Sequence, residues 1–320
     1  MLQNPVDLSI CTKKAINFNT KCVIFDNYIE VKMHAILFYI SYPFIYLIAL
    51  LPFRLLYVVS DIFYFIMMLT GYRKGVIVTN LRNSFPEKSE KEIQALFKTY
   101  YHYMCDLIFE TLKTITLTEK EAKEHCIFHK ADWLDKLYEE NQSIVIVMGH
   151  YGNWELAGPS FSLYNKHQLV VIYRPLSNPY FERLFVKMRS KFGTKITPVN
   201  NTLREMVANR NKVTATAFIA DQKAPAETAY WTTFLNQDTA VFNGAEKLAK
   251  KFDYPVVYMS VNKIKRGYYE ITPELLFKDV KNTADHEISQ GFMTRLEKEI
   301  NQNPSTWLWS HRRWKDKRPN

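Results

Sequence analysis

The run from Ala35 to Phe53, AILFYISYPFIYLIALLPF, holds nineteen residues and no charge. In helical form such a run rises about 28 Å, close to the ~30 Å hydrocarbon thickness of a bilayer. Tyr39, Tyr42 and Tyr46 temper its hydrophobicity, and Pro43 and Pro52 are expected to kink or end a helix. Past Arg54 the chain stays apolar to Leu69, interrupted only by Asp61. The run is too long and too far from the start for a cleaved signal peptide, and no small-residue cleavage site follows. A buried helical hairpin of a soluble core would also fit. A membrane-embedded anchor is the expectation here, with residues 55–70 lying at the interface. Flanking charge does not orient it, because Arg73, Lys74 and Arg82 on one side face four lysines on the other.

The formal net charge of +10 calls for an anionic partner, a nucleic acid or a membrane surface. The apolar run decides for membrane, and no nucleic acid is expected. Aromatic residues make up 15% of the chain, which suits work at an apolar–water boundary. With 47% hydrophobic residues over 320 positions, intrinsic disorder is excluded for most of the chain. Cys11, Cys22, Cys105 and Cys126 form no C-x-x-C pair and read as buried or idle thiols of a reducing compartment.

Downstream of Pro86, Ser89-x-x-Glu92 and Thr118-x-x-Glu121 are capping boxes that open helices. Strand-like runs follow at 143–148, 168–173, 213–220, 255–261 and 268–271. Helical patterns fall near 153–165, 178–191, 201–210, 241–252 and 284–301. Val- and Ile-rich strands separated by amphipathic helices predict an α/β fold: a single, largely parallel sheet flanked by helices, with an N-terminal membrane-embedded helical anchor.

Chemistry in such a sheet belongs where strands end and helices begin. The junction SIVIVMGHYGNWELAG is the most informative. A buried strand runs to Met148, Gly149 permits a tight turn, His150 emerges, Asn153 can cap and Glu155 lies in the first helical turn. A carboxylate on one imidazole nitrogen fixes the tautomer and makes the other nitrogen a better base. H-x4-[DE] alone is weak, and His311-x4-Asp316 also matches, but that pair sits in a cationic tail with no strand before it. No G-x-S-x-G elbow, H-E-x-x-H or P-loop occurs, so neither a serine nucleophile nor a metal or nucleotide site is expected.

GHYGNWEL resembles the signature of the bacterial lipid A late acyltransferases, within the wider glycerolipid acyltransferase superfamily. Tyr173–Arg174–Pro175 with Asn178–Pro179 resembles the family's YRP-x-x-NP block. Ala220–Asp221–Gln222, Phe234, Thr239–Ala240 and Gly244 leading into Leu248–Ala249 resemble its DQ…FFG…A-T…G…LA stretch. Asn303–Pro304 through Trp307, Trp309, His311, Arg312, Arg313, Trp314 and Lys315 resemble its closing NP-x-x-WLW-x-HRRWK. Two departures, Leu235–Asn236 in place of Phe–Gly and Lys223–Ala224–Pro225 in place of P-G, touch the presumed acceptor side.

The resemblance implies an O-acyltransferase at the inner membrane, its catalytic domain facing the cytoplasm. A fatty acyl chain would pass from a thioester of acyl carrier protein or coenzyme A to a hydroxyl of a lipid A precursor. The same chemistry on a lysophospholipid, aminolipid or other glycolipid is the alternative, and a non-enzymatic lipid-binding protein a remote one. His150 is implied as general base and Glu155 as its orienting partner. Arg174, Asn153, Asp221 and Gln222 are implied as substrate-binding, with no metal and no cofactor beyond the acyl-thioester co-substrate. The expected partners are acyl carrier protein, the membrane and its anionic lipid or glycolipid. The chain then divides into a polar leader over 1–33 (disordered, or a start-site extension with Met33 as the true start), an anchor and interfacial helix over 34–70, an acyltransferase domain over 71–315 and a tail over 316–320. The tail cluster Arg312, Arg313 and Lys315 is ordinarily a solvated face, and beside its tryptophans it could alternatively hold the domain against anionic head groups.

Overall fold

The computed structural model describes residues 18–318, with side chains from Lys32 onward. The leader's first seventeen residues lie outside the described residues. Helix α1 (Phe18–Leu50) begins well upstream of the expected anchor and carries Pro43 within it rather than ending there. Pro52 instead serves as N-cap of α2 (Phe53–Thr70), where its fixed φ suits a helix start and its missing N–H costs nothing. Both helices are long and apolar enough to cross a membrane and bury little of that surface against the rest of the chain.

The two differ in how they meet the domain. On α2, Leu55, Val58, Ile62, Phe65, Ile66 and Leu69 share one exposed face. The opposite face is docked and carries the polar groups beside buried Leu56: Ser60 donates to Asp106 at 2.8 Å, and Asp61 pairs with His102 at 2.8 Å and with Arg266. Helix α1 packs Phe38 against Tyr180 and Phe181 with ring centroids 5.7 and 5.2 Å apart.

Next come α3 (Lys74–Ser84) and α4 (Glu90–Lys113), the latter opened by a complete Ser89–Glu92 capping box. The second box, Thr118–Glu121, opens α5 (Glu119–His125). The sheet strands are β1 (Cys126–Phe128), β2 (Ile144–Met148), β3 (Gln168–Tyr173), β4 (Lys195–Pro198), β5 (Thr214–Ile219), β8 (Val256–Lys265) and β9 (Tyr268–Phe277). Their order is β1-β9-β8-β2-β5-β3-β4, and every pairing is parallel except the β8–β9 hairpin. A separate antiparallel hairpin pairs β6 (Tyr230–Phe234) with β7 (Gln237–Val241). Helices α6 (Asp132–Glu139), α7 (Trp154–Tyr164), α8 (Pro179–Arg189), α9 (Thr202–Ala208), α10 (Gly244–Phe252) and α11 (Glu287–Gln302) complete the chain.

Strand β2 shows why the sheet is buried on both sides. All five of its side chains are buried; Val145 and Val147 enter one core with Phe292 and Leu296 of α11, while Ile144, Ile146 and Met148 enter the other with Leu156 and Phe161 of α7. Each such side chain contributes roughly 1.5–3 kcal/mol on burial. Of the tail cluster, Arg312 and Lys315 are exposed and Arg313 is not. Trp307 and Trp309 are buried and Arg313 is 4% exposed, because the segment after α11 folds back as a strap under α3 and α4. Asn80 donates to the carbonyls of Trp309 and His311, and the Tyr100 hydroxyl accepts from the Ser310 amide.

Candidate active site

Strand register assembles the centre. Strands β2 and β5 run parallel with Met148 beside Ile219, and the ladder continues through Ala220 N–H to Met148 C=O at 3.1 Å. Two residues further, the same offset sets His150 beside Asp221. His150 Nδ1 lies 2.6 Å from Asp221 Oδ1, and the His150 amide donates to Asp221 Oδ2 at 2.8 Å. Trp307 Nε1, from the strap, donates to the same Oδ2 at 2.8 Å. Burial works against an ionised Asp221, but the attraction of His150 and these donors hold the carboxyl below its ordinary value. In the neutral ring an acceptor-only carboxylate on Nδ1 keeps the proton there and makes Nε2 the accepting nitrogen. Nε2 faces Gln222, whose Nε2 approaches to 3.2 Å, and the Trp154 ring stands edge-on at 4.9 Å.

The orienting partner of His150 is therefore Asp221 and not Glu155. The Glu155 carboxylate, on the first turn of α7, turns to Arg189 at the end of α8 in a two-pronged pair of 3.0 and 2.5 Å. Helix α7 carries Glu155 away from the strand axis along which His150 and Asp221 meet. Arg189 has no motif-like signal in the sequence beyond a cation in the last turn of a predicted helix.

His150, Glu155, Arg189, Arg174 and Gln222 all line one cavity of about 390 Å³ above the carboxyl ends of β2, β3 and β5. Trp154, Val171, Ile172, Phe218, Ile219 and Phe242 give it apolar walls. Arg174 is exposed, with no ion pair among the described residues. Asn153 is fully buried, caps α7 by accepting from the Leu156 amide at 3.0 Å, and does not reach the cavity. Asp221, 2% exposed, touches His150 rather than the space where a substrate would sit. Both were expected to bind substrate, and both instead shape the centre from behind. His311 and Asp316 of the second H-x4-D match both engage Lys223, through its amide at 3.4 Å and its ammonium at 2.5 Å. Leu235–Asn236 forms the β6–β7 turn with both residues at positive φ and lines no part of the cavity, whereas Lys223 does.

The Glu155–Arg189 pair is testable by stability. Arg189→Met leaves a carboxylate facing the cavity unpaired and should cost about 2 kcal/mol, less than a fully buried pair because Arg189 is partly solvated. Adding Glu155→Gln should recover part of that loss in a thermal melt. A double variant no more stable than Arg189→Met alone would deny the coupling.

The sequence model of a family described as bacterial lipid A biosynthesis acyltransferase matches residues 25–316. The lipid A biosynthesis palmitoleoyltransferase of Escherichia coli (strain K12) is 23% identical over 250 residues, 76% of this chain and 79% of its own. A lipid A biosynthesis acyltransferase of Haemophilus influenzae is 21% identical over 236 residues, 72% of each chain. With a match over nearly the whole chain and a cavity lined by His150 at the strand ends, the protein belongs to the bacterial lipid A biosynthesis acyltransferase family and is an acyltransferase.

Proposed function

We propose that the protein moves a fatty acyl chain from an acyl thioester, on acyl carrier protein or coenzyme A, to a hydroxyl of a lipid A precursor at the inner membrane. The observation that carries this reading is His150, its Nδ1 held by Asp221 so that Nε2 is the accepting nitrogen of the neutral ring, open to an apolar-walled cavity. Nε2 takes the acceptor hydroxyl's proton as that oxygen attacks the thioester carbonyl. The tetrahedral oxyanion collapses, the C–S bond breaks, and the departing thiolate takes the proton back from the imidazolium. Arg174 and Lys223 supply cations at the rim for the oxyanion or for an acceptor phosphate. Val171, Ile172, Phe218 and Phe242 offer the chain an apolar bed.

Membrane attachment follows from the same surfaces. Helix α1 spans the bilayer, and α2, pinned to the domain along its polar face, lies in the interface with its apolar face down. The cavity rim at Leu176 is close to where α8 meets the aromatic face of α1, so a lipid acceptor would approach from the bilayer side. The test is transfer of a radiolabelled acyl chain from acyl carrier protein to a lipid A precursor by the full-length protein in detergent. His150→Ala should lower the rate by roughly 10²–10⁴, the usual contribution of a general base. An undiminished rate in that variant removes the mechanism, and a deletion strain with fully acylated lipid A removes the acceptor.

A further inference from the structure

The catalytic loop is held from behind by a carboxylate that the reaction itself does not use. Glu110, on α4, is fully buried. Its Oε2 accepts from Asn153 Nδ2 at 2.6 Å and from the Tyr269 hydroxyl at 2.7 Å, and its Oε1 accepts from the Tyr57 hydroxyl at 2.9 Å. Burial pushes this carboxyl above its ordinary value, while the three donors pull it back.

The consequence for Asn153 is directional. An amide has one accepting and one donating end, and a carboxylate can only accept when ionised. Glu110 therefore fixes the Nδ2 end inward and aims Oδ1 at the Leu156 amide, which is the cap that starts α7. Asn153 lies three residues after His150 and two before Glu155. Two α4 turns away, the Tyr103 hydroxyl donates to the Gly152 carbonyl at 2.5 Å, so α4 grips the loop at two consecutive residues.

The other end of the chain of contacts is α2. Tyr57 belongs to that helix, and its seat is tight: the Arg266 guanidinium lies 4.6 Å from the ring centroid, and a Cβ on Gly267 would meet the Tyr57 hydroxyl at 1.8 Å. Arg266 also reaches Asp106 at 2.7 Å and Asp61 at 2.6 Å, clamping α2 to α4 beside Tyr57.

We propose that Glu110 is a positioning residue that ties the seating of α2 to the geometry of the catalytic loop: with α2 docked, Tyr57 and Glu110 hold Asn153, and Asn153 holds His150 and Glu155 in place. The inference rests on the reading of that loop as catalytic and adds that the apolar helix is part of its support. Glu110 touches no substrate and acts only through Asn153.

The test uses the full chain in detergent, with amide hydrogen exchange and steady-state transfer from radiolabelled acyl-acyl carrier protein as paired readouts. Glu110→Ala should speed exchange over residues 149–156 about tenfold while the α11 segment stays at the wild-type rate, the pattern of local rather than global opening. Its kcat should fall roughly 30-fold with KM for either substrate within about threefold, as expected when bound substrate meets a misplaced base. Tyr57→Phe deletes one hydroxyl and should give the same pattern more weakly. Glu110→Gln keeps one acceptor and should restore most of both readouts. Should Glu110→Ala fail to fold, Tyr57→Phe and Glu110→Gln decide. Unchanged loop exchange in Glu110→Ala, or in Tyr57→Phe where the alanine variant does not fold, or a rise in KM with kcat intact, overturns the proposal. Absence of acyl transfer by wild-type protein would strike the functional reading alone, since the exchange result still judges the positioning role.

Discussion

Asp221→Asn should lower kcat for acyl transfer by about 10²–10⁴, nearly as much as loss of His150 itself. The reason lies in the number of donors on each oxygen. Oδ2 accepts two, the His150 amide and Trp307 Nε1, whereas Oδ1 accepts one, from His150 Nδ1. An asparagine must present its NH₂ to one side. Facing it toward the two donors strands both in a buried site, at about 1–3 kcal/mol each. The oxygen therefore stays with those donors and the NH₂ turns to Nδ1, which must then accept. The imidazole proton moves to Nε2 and the lone pair that should receive the substrate proton is gone. Nitrogen-15 spectra of the His150 ring would register the tautomer directly, beside the rate. Glu155→Gln leaves this pair intact, disturbs the Arg189 contact and should cost less. If Glu155→Gln abolished transfer while Asp221→Asn left it whole, Glu155 and not Asp221 would be the partner that matters in solution.

This partnership explains what a linear reading could reach. The His150 junction, both capping boxes, the Val- and Ile-rich strands and the mostly parallel sheet follow from local patterns, because each is encoded within about ten residues by turn chemistry or periodicity. His150 and Asp221 were both visible as polar residues at strand ends. Their contact was not, since it depends on β5 inserting between β2 and β3 with the register that pairs Met148 with Ile219. Glu155 stood five residues from His150 in the chain, and proximity along the sequence favoured it. The helix that starts at Trp154 turns it toward Arg189 instead. Short β1 and β4 and the β6–β7 hairpin lack long apolar runs and escaped notice. The burial of one tail cation is illegible for a similar reason. Arg313 is charged in sequence but buried in the strap, and only tertiary packing of Trp307 and Trp309 decides that.

Gly152→Ala carries the second large expectation, and it separates strain from collision. Gly152 sits at φ +57°, where an L side chain costs about 1–2 kcal/mol. A Cβ there would also lie 1.9 Å from the Val261 carbonyl oxygen and 2.9 Å from its carbon, both backbone atoms of the neighbouring strand β8. No side chain can swing away to relieve that contact, so the loop must rise from the sheet. Its amide would then leave the Thr306 carbonyl at 3.0 Å and its carbonyl the Tyr103 hydroxyl. Adding an overpacking penalty of about 1–3 kcal/mol gives a total loss of roughly 2–5 kcal/mol, read as a melting shift of about 5–15 °C in detergent. Transfer should fall at least ~100-fold even below the melting point, because a displacement near 1 Å at the base is enough for that loss. Gly71→Ala is the matched comparison: it shares the positive φ, at +64°, but a Cβ there meets nothing within 4 Å. It should show only the milder conformational cost and keep its activity. Equal, small effects at the two glycines would mean that β8 and the loop are not packed as tightly as His150 requires, and that the base is positioned by Asp221 alone.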